Sequence, residues 1–192
     1  MGAYCKERHE RYIRFIRLSC LAVTVLAVLM GCKAKSSADS PGNRSDVLQE
    51  PPSMKLSDVL SGTMEEFEVT SGNYTWNYPN GDEMTGGIAC GAHPLVEAED
   101  KERLALPRYN GQDTVGYIVS FAVKPDRLTV YEYSIQDLGH TDASPLAGTV
   151  YEDALMPQLK GSRVYEMVAE WDEEHLKENG CYGTASYVVV TE

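Results

Sequence analysis

The chain has 192 residues, with 17 Lys and Arg against 29 Asp and Glu, a net charge of −12, and 43% hydrophobic residues. That length and composition suit one ordinary globular domain and exclude collagen-like or wholly disordered character. The charge is uneven: residues 1–31 carry a net +3, and everything from Cys32 onward carries −15 over 161 residues. Nucleic-acid binding draws its affinity from neutralising phosphates with Lys and Arg, so nucleic acid is not an expected partner.

In chain order, the basic opening (Lys6, Arg8, Arg11, Arg14, Arg17) leads into Leu18–Met30, thirteen uncharged and almost wholly apolar residues. A spanning helix needs about 20 such residues, so this run suits the apolar region of a secretory signal peptide behind its positive start. The run ends in Leu29-Met30-Gly31-Cys32. This resembles the lipobox of bacterial lipoproteins, with an aliphatic residue three before the cysteine and a small residue just before it, although Met30 is bulkier than the residue usual at its place. The resemblance covers about the first 33 residues. It implies cleavage between Gly31 and Cys32, lipidation of Cys32, and a protein held at the extracytoplasmic face of a bacterial cell membrane. Each buried acyl CH₂ contributes about 0.8 kcal/mol and a single chain holds only reversibly, so a multiply acylated cysteine makes a stable anchor.

Residues 32–53 are rich in Ser, Pro, Asp and Gly, with Val47 and Leu48 as the sizeable apolar residues. Such a segment buries too little surface to offset its ordering entropy and is expected to be a flexible linker, reaching about 25 Å on average. A folded domain is expected over 54–192. There Tyr74–Tyr78 alternates aromatic and polar before the turn residues Pro79-Asn80-Gly81-Asp82. Val115–Val123 is a near-continuous apolar run suited to the middle of a sheet, and Lys124-Pro125-Asp126 breaks it. Arg127–Ile135 sets Leu128 and Val130 against Tyr131, Tyr133 and Ile135. Val164–Trp171 sets Tyr165, Met167, Ala169 and Trp171 against Glu166 and Glu170, and Thr184–Val190 alternates in the same way. With Phe67–Val69, Met84–Ala89 and Thr149–Tyr151 this gives seven or eight short strands, which predicts a mainly β protein, an antiparallel immunoglobulin-like β-sandwich. Short helices are expected at Leu56–Leu60 and Val96–Leu104, and Gly86-Gly87 reads as a bulge.

The order of Gly72–Tyr78, Ile88–Leu95, Lys124–Val130 and Tyr165–Trp171, followed by a glycine turn and a Tyr-Val-Val-Val strand, resembles a group of uncharacterised small bacterial surface lipoproteins. The resemblance spans most of residues 65–190. Its motifs are strand and turn signatures, so it implies a β-sandwich and a surface location and no reaction.

With Cys32 acylated and the signal peptide removed, Cys90 and Cys181 remain as an even pair in an exported domain, where a disulfide can persist. A bridge between them closes a loop to which the chain-entropy model assigns roughly 4 to 5 kcal/mol. Two separate thiols, or a metal-bound or reactive cysteine, are the other readings. Cys90-Gly91-Ala92-His93 places a thiol three residues from an imidazole, and a cysteine nucleophile needs a base in reach. Cys90, His93, Cys181 and His175 could supply four zinc ligands, but no C-x-x-C or H-x-x-x-H pair supports it. Asp172-Glu173-Glu174-His175 and Asp82-Glu83 lack the spacing of an EF-hand loop and read as solvated acidic faces. No G-x-S-x-G, S-x-x-K, H-E-x-x-H or Gly-rich phosphate loop is present. Tyr74, Trp76 and Tyr78 could form an outward stacking strip for sugar or peptide, or fill the space between sheets.

The expected function is therefore a non-catalytic, lipid-anchored binding or assembly module of the cell envelope, without a cofactor. Its expected partners are the membrane, through the lipid, and an envelope protein, peptide or glycan. The alternatives are a substrate-binding accessory subunit of an envelope enzyme or transporter, using the aromatic strip, and a Cys90-dependent enzyme.

Overall fold

The structure, a computed structural model, describes residues 47–58, 66–107 and 114–192. The expected signal peptide over 1–31, Cys32 and residues 33–46 lie outside the described residues. The described residues form a β-sandwich of two antiparallel sheets, the architecture that the alternating runs imply. Among them are eleven strands rather than seven or eight: β1 Met54–Asp58, β2 Glu66–Val69, β3 Tyr74–Asn80, β4 Glu83–Ala89, β5 Arg103–Leu104, β6 Thr114–Ser120, β7 Arg127–Ser134, β8 Ala147–Tyr151, β9 Gln158–Lys160, β10 Arg163–Trp171 and β11 Tyr182–Thr191. The smaller sheet runs β2-β1-β6-β9 and the larger β4-β3-β11-β10-β7-β8, with β5 added in parallel to β11.

Alternation decides which face each side chain takes. On β7, β10 and β11 the residues Leu128, Val130, Tyr165, Met167, Ala169, Trp171, Ala185, Tyr187 and Val189 enter the main core. Tyr133, Val164, Val188 and Val190 point to the outer face. There a short helix, α1 (Pro94–Glu97), and the 3-10 turn Ala98–Asp100 cover them through Leu95 and Ala98. His93 caps α1, its Nδ1 accepting from the Leu95 amide at 3.3 Å, and Pro94 follows at a position where no amide is needed. The helix ends well short of the Val96–Leu104 span because Arg103 and Leu104 pair with β11.

The main core is organised by an aromatic cluster. Trp76 and Trp171 meet edge to face with centroids 5.0 Å apart, and Phe121 stands 5.5 Å from both Trp171 and Tyr187. Each polar tip finds a backbone carbonyl: Trp76 Nε1 donates to Leu48 at 2.8 Å, Trp171 Nε1 to Val123 at 3.1 Å, and Tyr187 OH to Pro52 at 2.7 Å. Two of these acceptors belong to the segment expected to be a flexible linker. Pro51 and Pro52 are buried and Leu48 packs on the core, so the folded unit begins at Val47.

Two further expectations fail for tertiary reasons. Leu56 lies in a strand, not a helix, because β1 is hydrogen-bonded on both sides, to β2 and β6, and alternation buries Met54 and Leu56. Gly86-Gly87 is no bulge, since the β3–β4 register runs unbroken from Tyr74↔Ala89 to Asn80↔Glu83. A Cβ on Gly86 would lie 2.7 Å from Asn77 Oδ1, so the glycine makes room for a cross-strand side chain. Gly183, at φ +147°, is more constrained: its Cβ would stand 2.1 Å from the Thr75 carbonyl oxygen where β11 meets β3.

Charge is organised on the flank of the larger sheet. Glu132 on β7 receives Arg163 Nε at 2.8 Å and Lys160 Nζ at 3.1 Å. Burial opposes its ionisation, but the hydrogen bonds and charges of Arg163 and Lys160 outweigh that and hold its pKa below the ordinary carboxylate value. A carboxylate lowered in this way adds stability above its unfolded pKa and loses it as pH falls through the folded value. Glu132→Gln is expected to cost about 1 kcal/mol at pH 7 in denaturant unfolding, with the gap to wild type closing below about pH 4; a gap independent of pH contradicts the assignment. Tyr187→Phe, which leaves the Pro52 carbonyl unmatched, is expected to cost about 1 to 3 kcal/mol in the same measurement.

Candidate functional site

Among the described residues a concave feature lies on the smaller sheet. On β6, Val115, Tyr117 and Val119 point into the core, so Ile118 between them faces outward and is 45% exposed. The segment Asp153–Pro157 runs beside this strand, held by Tyr117 N donating to Pro157 O at 3.1 Å and Val119 N to Leu155 O at 2.8 Å. Between strand and strap is an open groove of about 340 Å³ lined by Ile118, Phe121 and Met156, with Lys124 and Asp153 among its polar residues. Its lining is mostly apolar, with one cation and one anion. Such a site fits an apolar or aromatic group carrying a polar end, and its volume sits at the small end for ligand pockets. Lys124 and Asp153 are both exposed, and Ser120 adds a hydroxyl to the lining.

The residues singled out from the sequence are not brought together. Trp76 is fully buried, and Tyr74 and Tyr78 pack partly buried against the same core. The stacking strip is thus corrected: these rings fill the space between the sheets, because β3 turns its aromatic face toward Trp171.

The expected Cys90 to Cys181 bridge is also corrected: Cys181 is a free thiol, fully buried, its Sγ directed at the Asn179 carbonyl at 3.5 Å. The register explains this. Tyr182 pairs with Asn77, which sets Cys181 beside Tyr78, whereas Ala89 pairs with Tyr74, which sets Cys90 beside Asn73 at the other end of β3. Five residues of strand separate the two by roughly 16 Å along β3 alone, and a disulfide needs Cα atoms within about 7 Å. Burial pushes the Cys181 thiol up to about 11, so it carries no thiolate at neutral pH.

His93 is occupied in capping α1 and stands edge to face with Tyr133 at 6.4 Å, and burial lowers its pKa. His175 is paired elsewhere, its Nδ1 2.7 Å from Asp126 Oδ1. Among the described residues no three His, Cys, Asp or Glu side chains converge on a point where a metal could sit. The Asp172–His175 run forms the turn leading into a second short helix, α2 (Leu176–Asn179), and Asp82-Glu83 forms the β3–β4 hairpin.

Sequence reasoning missed the groove. Its available signal was parity: in Val115–Phe121 the inward positions are odd-numbered, which leaves Ile118 as an apolar residue on the wrong face. Met156 gave no such signal, since a loop residue acquires a face only when the strap docks.

No protein-family model, curated protein or solved structure matches the chain. Cys181 is expected to resist iodoacetamide in the native protein and to be alkylated in denaturant without any reductant. Labelling that requires reduction restores the bridge.

Proposed function

We propose that the chain is a lipid-anchored module at the extracytoplasmic face of a bacterial cell membrane that binds or assembles with an envelope component and performs no catalysis. The observation that carries this reading is Leu29-Met30-Gly31-Cys32 at the end of an apolar run behind a basic start. The attachment of residues 47–53 to the core supports it, because a tether needs a firm point at which to meet the domain. Fourteen residues, 33–46, separate Cys32 from Val47, where the folded unit begins. The open, mostly apolar groove beside β6 supports a binding role, and with Trp76 buried the accessory-subunit reading rests on that groove and not on the aromatic strip.

Intact mass of the protein isolated from membranes is expected to show a diacylglyceryl or triacyl chain beginning at Cys32. Cys32→Ala is expected to move the protein to the soluble fraction. An unlipidated mass, or a variant that stays on the membrane, overturns the anchor. The accessory-subunit reading gains support if a peptide or glycan titrated onto the full chain in detergent binds saturably and Ile118→Lys removes that binding at unchanged Tm. Binding indifferent to Ile118→Lys places the ligand away from the groove.

A further inference from the structure

Sheet edges are templates for another strand, and proteins ordinarily blunt them with charges, proline, bulges or short length. Among the described residues the smaller sheet obeys this: β2 carries Glu66 and Glu68, and β9 is three residues long and ends in Lys160. The β4 edge of the larger sheet does not. Its seven residues, Glu-Met-Thr-Gly-Gly-Ile-Ala, pair with β3 without a bulge and carry one charge, at the first position. Met84 and Ile88 project from the same face, 47% and 61% exposed, about 13 Å apart with only Gly86 between them.

We propose that β4 is a homodimerisation edge, pairing antiparallel with β4 of a second copy about a two-fold axis at Gly86. An axis normal to the sheet requires opposed residues to share a face. Centring it on Gly86 sets Met84 against the partner subunit's Ile88, Ile88 against the partner's Met84, and Glu83 against the partner's Ala89. The contact is isologous and closes on itself. Charge selects it. The position opposite Asp82 is the partner's Cys90, so no acid meets an acid across the axis, which matters for a domain this acidic.

The other edge, β8, carries a similar Leu146, Gly148, Val150 row, with Leu146 and Val150 59% and 54% exposed. Joining β4 to β8 of another copy with those rows matched would oppose Asp82 to the partner's Glu152 and would generate an open series rather than a dimer. Joining β8 to itself offers five residues preceded by Pro145, which has no amide to donate. The β4 pairing alone combines length, apolar contact and the absence of acid-to-acid contact.

The test uses the full chain in whole cells, wherever it resides. Met84→Cys and Ile88→Cys chains, differently tagged and co-expressed, are expected to form a disulfide-linked heterodimer under mild oxidation. Either variant alone should cross-link little, because like positions then lie about 13 Å apart, beyond disulfide reach; the wild-type chain, with its native cysteines, sets the background. In detergent, light scattering is expected to give twice the chain mass for wild type and the single-chain mass for Ile88→Lys, with unchanged Tm since the side chain is exposed. A monomeric wild type, a dimer that survives Ile88→Lys, or equal cross-linking by each variant alone overturns the proposal. None of these readouts depends on lipidation or on the groove.

Discussion

The arrangement of the domain depends on how four aromatic rings are enclosed. Trp76, Trp171, Phe121 and Tyr187 come from β3, β10, the end of β6 and β11, and their edge-to-face contacts tie the larger sheet to the smaller. Burying indole N–H and phenol O–H groups is costly unless each is paired. Here the partners are backbone carbonyls of Leu48, Pro52 and Val123, which lie outside any strand. The core therefore reaches out for irregular chain, and that requirement converts a Ser- and Pro-rich approach segment into an ordered lead-in.

The same enclosure determines what is left for the surface. With the large aromatic residues turned inward, the exposed large apolar side chains among the described residues are few and fall into separate places: Val47 at the start of the lead-in, Ile118 and Met156 at the groove, Met84 and Ile88 on one edge, Leu146 and Val150 on the other. The rest of the surface is dominated by acids, some held by specific partners. Arg127 reaches Glu170 at 2.6 Å, and Lys160 and Arg163 converge on Glu132. Apolar islands within an acidic surround favour contacts that bury the island while keeping carboxylates apart. Both the groove and the β4 register meet that condition, on different sheets.

The strands and their faces were legible because alternation is a local property. Leu128 and Val130 separate from Tyr131 and Tyr133, and Tyr165, Met167, Ala169 and Trp171 share the core face, as their spacing requires. The hairpin was legible for the same reason, although its loop is Gly81-Asp82, with Gly81 at φ +69° and Asn80 ending β3 opposite Glu83. Leu56 was not, since its segment becomes a strand only through β2 and β6, neither of which is a neighbour in the preceding sequence. The candidate site fared worse. Tyr74, Trp76 and Tyr78 stood out in the sequence, but whether they faced a ligand or another sheet depended on which strand lay opposite.

What the sequence determined alone was the basic start and apolar run ending in Leu29-Met30-Gly31-Cys32, the acidic balance, and a β class encoded in period-two runs, all of which depend on residues close together in the chain. What the tertiary structure decided was register. It separated Cys90 from Cys181 along β3, exposed Ile118 on β6, drew Leu48 and Pro52 onto the core and left β4 at the edge of the larger sheet among the described residues. Each of these depends on strands distant in sequence meeting at a particular offset. A shift of one residue would turn every side chain of a strand to the opposite face, and no local pattern specifies that offset.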